Sequence, residues 1–182
     1  MDVSTLHAAN EELAEWLSEL TPGDLKQETA LPDQDIGDFY LRIIERDTNL
    51  ATTIAHETVN DRPPVNAMSR SDLDVSPNLY GGGFESLYRK TARQLENAFE
   101  SANSETVCRV DGSDMALGAA YEQQIADTVI RTWDLGNAMG FTYRPADDVA
   151  RRVLAALQES PDNDADRVWE NALTFATRVR ST

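Results

Sequence analysis

Ile125-Ala126-Asp127-Thr128-Val129-Ile130-Arg131-Thr132-Trp133-Asp134-Leu135-Gly136-Asn137-Ala138-Met139-Gly140 is the stretch that decides the fold. It reads as the second half of a long helix that begins near Ala116 and ends at Met139, with Gly140 as its C-cap. A helix of about 24 residues is roughly 36 Å long. Around it the chain repeats the same periodicity. Leu6, Ala9, Leu13, Trp16, Leu17 and Leu20 make an amphipathic helix over about Ser4–Leu20, stopped by Thr21-Pro22-Gly23. Asp35 reads as an N-cap, with Asp38 in the first turn, for a helix carried by Ile36, Phe39, Ile43, Leu50 and Ile54 to about His56. Further helices are predicted over about Phe84–Ala102, from Pro145 to about Glu159, and over about Ala165–Val179. The piece Glu105–Val110 alternates weakly and is expected to be at most a short extended segment before Asp111-Gly112. The fold class is therefore all-α: a four-helix bundle with extra C-terminal helices, one domain over residues 1–182. Residues 58–83, with Pro63-Pro64, Pro77 and Gly81-Gly82-Gly83, form a long connection expected to be mobile. The glycine triplet is no phosphate loop, because no strand precedes it and no Gly-Lys-Ser/Thr follows.

Composition narrows the function. The 182 residues hold 32 acids against 16 bases, a net charge of −16, and the pI is near 4.3. Nucleic-acid binding needs a basic field over phosphates, and an anionic membrane would repel this chain. Neither nucleic acid nor membrane is an expected partner. The single cysteine, Cys108, precludes an internal disulfide and a Cys-rich zinc site, and beside Arg109 it reads first as a small buried residue. No apolar run approaches the ~20 residues of a membrane span, and Met1-Asp2-Val3-Ser4 does not open a signal peptide. A soluble, cytoplasmic domain is expected.

The string Ile125–Gly140 resembles a motif of the DinB-like superfamily, in the branch of the mycothiol-dependent maleylpyruvate isomerase N-terminal metal-binding domain. That branch reads Glu-x-x-x-His-x-Trp-Asp-Leu-x-x-Ala-x-Gly late in a long helix. Trp133-Asp134-Leu135, Ala138 and Gly140 fit it without a gap. The segment Leu31-Pro32-Asp33-Gln34-Asp35-Ile36-Gly37-Asp38-Phe39-Tyr40-Leu41-Arg42 is similar to the family's entry into its second helix. The resemblance covers roughly residues 1–160. It implies a DinB-like bundle in which one histidine of the second helix, with a glutamate and a histidine four apart on the long helix, holds a zinc-like divalent metal.

Carried over, those three positions are Arg42, Asp127 and Arg131. A guanidinium has no free lone pair and ligates no cation, so no metal cofactor is expected unless the site survives in altered form. His56 lies roughly 21 Å along its helix from Arg42 and His7 roughly 20 Å away, so neither replaces a ligand. Arg42, Asp127 and Arg131 sum to the same +1 as two histidines, a glutamate and a divalent ion, and Gln124 sits three residues before Asp127 on the same stripe. These four are the candidate ligand-binding residues. The cluster reads as a closed ion network, as a pocket for a small anion that meets planar guanidinium donors, or as plain surface pairs such as Arg42 with Asp38. The preferred function is a metal-free binding or accessory protein for a small anionic ligand. The alternatives are a mycothiol- or other thiol-dependent transferase or isomerase with a thiol ligand, and an interaction module that acts as a homodimer. No catalytic residue is assigned, and the role of Asp134 is left open.

Overall fold

The computed structural model describes residues 1–31, 33–55, 68–75, 82–103, 105–110, 113–157, 169–170 and 172–174. Its elements in order are α1 (Ser4–Ser18), a 3-10 turn (Asp24–Lys26), α2 (Ile36–Ala55), α3 (Arg70–Val75), α4 (Phe84–Ser101), β1 (Val107–Val110), β2 (Ser113–Ala116), α5 (Leu117–Ala138) and α6 (Asp147–Leu157). Residues 169–170 and 172–174 are also helical, with Trp169 and Ala172 buried. None of the described helices is long and apolar enough to cross a membrane.

The helices start and stop where their ends are satisfied. Asp35 Oδ1 accepts the Asp38 backbone N–H at 2.9 Å, a side-chain cap on α2. At the end of α5, Gly140 takes φ +79°, the Phe141 N–H reaches the Gly136 carbonyl at 2.8 Å, and the Gly140 N–H reaches Asn137 at 3.0 Å. This pair of bonds is the Schellman arrangement, and the left-handed residue in it favours glycine.

Each helix turns an apolar stripe inward. α1 packs on α4 and α5, α2 packs on α4, and α6 lies on α5. Side-chain pairs set the directions. His7 with Glu96 and Glu11 with Arg89 make α1 antiparallel to α4. Tyr40 touches Phe84, while Leu50 and Ile54 share a cluster with Leu95 and Phe99, so α2 and α4 run parallel. Parallel neighbours need a connection that travels back along the bundle. The chain makes that return within the long connection 58–83, most of which lies outside the described residues. Part of the connection is structured: α3 lies within it, Leu73 is fully buried, and residues 58–67 and 76–81 fall outside the described residues.

Arg70 fastens α3 to the start of α2. Its Nη2 donates to Asp35 Oδ2 at 2.9 Å and its Nη1 to Asp38 Oδ1 at 2.8 Å, and Nε meets Asp74 at 3.1 Å. The guanidinium lies over Gly37, where a Cβ would stand 2.6 Å from Cζ, so the helix is bare at that point because the arginine occupies the space. The hydrogen bond from Arg70 holds the Asp35 carboxyl below its usual range, against some opposing desolvation. A lowered folded pKa stabilises above the unfolded value of about 3.9, and that contribution disappears as pH falls through the folded value. Arg70→Ala is therefore expected to cost about 1–2 kcal/mol near neutrality and less as pH falls through the lowered Asp35 value. Denaturant unfolding of both proteins across that range checks it.

The strands correct the expectation of a merely extended 105–110. β1 pairs antiparallel with β2, Val107 opposite Ala116 and Val110 opposite Ser113, which makes a small hairpin leaning on α2 and α5. Cys108 and Val110 point into the core, and burial pushes the Cys108 thiol above its ordinary range, so it is a packing residue.

Candidate functional site

The buried apolar residues fall into two clusters stacked along the bundle. One holds Leu6, Ile54, Leu95, Phe99, Ile125 and Val129; the other holds Leu13, Leu17, Ile36, Tyr40, Ile43, Tyr88 and Leu135. A layer of buried polar side chains, Asn10, Asp47, Glu96, Gln124, Thr128 and Arg131, crosses the helices between them. Helix bundles place ligand and metal sites in such a layer, where side chains of facing helices converge.

Asp47 is the layer's anchor. It is fully buried, and its Oδ1 accepts Arg131 Nη1 at 2.8 Å and Gln124 Nε2 at 3.1 Å. Its Oδ2 is buried without a hydrogen-bond partner. Burial disfavours the charge on Arg131, but the Asp47 and Asp127 carboxylates outweigh it and raise the guanidinium above its ordinary range. Next to this pair the Tyr88 hydroxyl donates to Asn10 Oδ1 at 2.9 Å, and Asn10 Nδ2 donates to Glu96 Oε1 at 2.7 Å. Burial first, and then the Asp47 charge, push the Tyr88 phenol well up, so it remains a donor. His7 Nδ1 lies 3.1 Å from Glu96 Oε2 at the half-exposed rim.

Of the residues singled out in the sequence, Gln124 and Arg131 meet in this layer. Asp127 stands at its edge and pairs with Arg46 at 2.8 Å. Arg42 is elsewhere. It is exposed, one turn before Arg46. The reason is helical phase. Ile36, Tyr40, Ile43, Asp47, Leu50 and Ile54 form the inward stripe of α2, and Arg42 and Arg46 lie together on its flank. The expected partner of Asp127 is thus displaced by one turn to Arg46, and the charge facing Arg131 is Asp47. Asp38, the local alternative for Arg42, is taken by Arg70. His56 lies outside the described residues. Asp134 is buried, and Trp133 packs partly buried against the first core cluster.

Sequence reading missed Asp47, Asn10, Tyr88 and Glu96. The signal was present: Asp47 interrupts an apolar stripe, and Asn10 sits between Leu6 and Leu13 on the buried face of α1. A charged residue at a core position demands a partner on the facing helix.

The donor set does not suit a divalent metal. Two guanidiniums stand among the carboxylates, and among the described residues no three His, Cys, Asp or Glu side chains converge as a metal would need. What the arrangement offers is fixed positive charge, neutralised inside by Asp47 and Asp127. Outside the α2 flank, Arg42, Glu45, Arg46, Asn49, Thr53 and Arg109 line a groove of about 490 Å³. Arg46 reaches both this groove and Asp127. Arg109 also pairs with Asp114 across the hairpin at 3.0 Å.

No protein-family model matches the chain, and no curated protein matches it in sequence. Two solved structures match its fold. One is mycothiol-dependent maleylpyruvate isomerase, at TM-score 0.62 and 12% identity; the other is a point mutant of a protein of that name, at 0.61 and 11%. Each alignment covers 85% of this chain and 65% of the other, so the chain spans less than two thirds of the enzyme's length. At this identity the likeness is one of architecture, and it agrees with the bundle expected from the Trp133-Asp134-Leu135 motif: the chain shares the DinB-like helical fold of mycothiol-dependent maleylpyruvate isomerase.

Proposed function

We propose that the chain is a metal-free binding protein for a small anion, built on a DinB-like bundle whose family metal position is filled by Arg–Asp pairs. The observation that carries this reading is Arg46. Its guanidinium closes on Asp127 at 2.8 Å while the same side chain lines the groove with Arg42 and Arg109. An incoming carboxylate would take Arg42, which forms no ion pair among the described residues, and compete with Asp127 for Arg46. Arg131 and Gln124 serve from behind, as the buried charge and amide that hold Asp47 and bias Asp127. Binding energy in this reading comes from bidentate guanidinium contacts and not from a metal.

Calorimetric titration with maleate, a dicarboxylate probe, tests it. Saturable binding is expected, weakened at least ~10-fold by Arg42→Ala, since one charge-assisted contact is worth about 1.5–3 kcal/mol. Zinc is expected to bind only weakly. Maleate binding indifferent to Arg42→Ala, or stoichiometric nanomolar zinc lost on Asp127→Ala, would overturn the reading.

A further inference from the structure

A second cleft, of about 560 Å³, opens where α1 and α5 end, and Glu15, Trp16, Glu19, Asp24, Gln27, Met139 and Phe141 line it. It is remote in character from the arginine groove: three carboxylates, two aromatic rings and a thioether, with no Lys, Arg or His among its described lining residues. From these features we infer that it binds an aliphatic amine carrying two or more ammonium groups. The inference does not depend on the anion reading above.

Three features point to a cation, and a fourth holds the cleft in shape. First, Glu15 lies in the last turn of α1 and Glu19 caps that helix four residues on, and both line the cleft together with Asp24 of the 3-10 turn. Thr21 holds Asp24 ionised, its hydroxyl and backbone N–H donating to Oδ2 at 2.6 and 2.8 Å. Second, two helix C-termini converge here. Each carries a partial negative charge, and neither α1 nor α5 has a basic residue in its last turn to offset it. Third, the aromatic rings are presented and not merely exposed. The Schellman bonds that end α5 set Phe141 against Trp16, edge to face with centroids 5.8 Å apart. Phe141 is nevertheless 56% exposed. Ring faces attract cations, and a methylene chain packs on them. Fourth, the wall is fixed. The Gln27 side-chain amide donates to the Ala138 carbonyl, tying the segment after the 3-10 turn to the end of α5.

The spacing of charge selects the occupant. A lone quaternary ammonium would use the rings and leave most of the carboxylates unanswered. A polyamine answers Glu15, Glu19 and Asp24 with separate ammonium groups while its methylenes cross Trp16 and Phe141. A volume of this size lies within the usual range for small-molecule pockets.

Calorimetric titration of the full chain with spermidine tests the inference, with tetramethylammonium as the monocation. Saturable spermidine binding is expected, tighter than tetramethylammonium. The double variant Glu15→Gln/Glu19→Gln is expected to weaken it at least ~10-fold, and Phe141→Ser at least ~3-fold. Since the chain is so acidic, a control variant, Glu100→Gln/Glu105→Gln, removes the same charge from exposed positions in and just beyond the last turn of α4. Those positions lie at the opposite end of the bundle, where the Met1 amino group donates to the Glu100 carbonyl. The control is expected to change the affinity less than ~2-fold. Equal losses in both double variants would mean diffuse attraction to an acidic surface and would overturn the inference. So would the absence of saturation up to ~10 mM spermidine, because a site of this charge should bind more tightly than that.

Discussion

Asp47→Ala is expected to destabilise the fold by about 3–5 kcal/mol, because it leaves a buried guanidinium unmatched. The residue is fully buried and accepts hydrogen bonds from Arg131 and Gln124. Without it a guanidinium that is itself 7% exposed keeps its charge, because arginine does not deprotonate in a protein. The Asp127 carboxylate, which already acts on Arg131, relieves part of the penalty, so the lower end of the range is expected. In a domain of this size a loss of about 3 kcal/mol lowers Tm by about 6–12 °C. Thermal and denaturant unfolding measure it. A loss within ~0.5 kcal/mol would mean that water reaches the pair and that it behaves as a surface contact.

Phe99→Ala is expected to cost a similar ~3–5 kcal/mol, for an apolar reason. The ring is fully buried at the end of α4, edge-on to Tyr121 at 5.4 Å, in the cluster that also holds Leu6, Ile54, Leu95 and Cys108. Truncation removes its buried surface and leaves a cavity that close-packed neighbours fill only in part. Phe99→Leu, nearer in volume, is expected to cost less than half as much. Phe99 lies on one side of the polar layer and lines neither the arginine groove nor the acidic cleft. At temperatures where the variant stays folded, maleate and spermidine binding are therefore expected to be unchanged.

The helices were legible because each carries a stripe of period 3.6 long enough to identify, and because Asp35 and Gly140 mark their ends with side-chain and backbone chemistry. The hairpin was not. β1 offers one alternation, Val107 exposed, Cys108 buried, Arg109 exposed, Val110 buried, and β2 offers none. The pair Asp111-Gly112 between them was the usable signal, a dipeptide favoured in two-residue hairpin turns. α3 was hidden for a different reason. Six residues are too few to show a period, and what holds them is tertiary: Leu73 in the core and Arg70 across Gly37.

The candidate site was half legible. Spacing alone put Gln124, Asp127 and Arg131 on one face of the long helix, and there they are. The facing helix was read one turn too early. Arg42 and Arg46 both lie on the same flank of α2, and only the position of the opposing helix decides which of them meets Asp127. The α2–α5 seam is also the more open of the four, α1–α4, α2–α4 and α1–α5 being the close ones, so long side chains and not backbone contact define it.

A charge pair, Asp47 with Arg131, spans the core of the bundle, where an ordinary core would be apolar. The most direct measurement is a double-mutant cycle at its centre, Asp47→Leu, Arg131→Met and both together, followed by denaturant unfolding. Each single variant leaves one buried charge unmatched, and each is expected to lose at least ~3 kcal/mol. The double variant removes both charges and restores apolar packing, so it is expected to recover at least ~2 kcal/mol relative to the sum of the singles. Losses that add within ~0.5 kcal/mol would show that Asp47 and Arg131 do not act on each other, and would contradict the account.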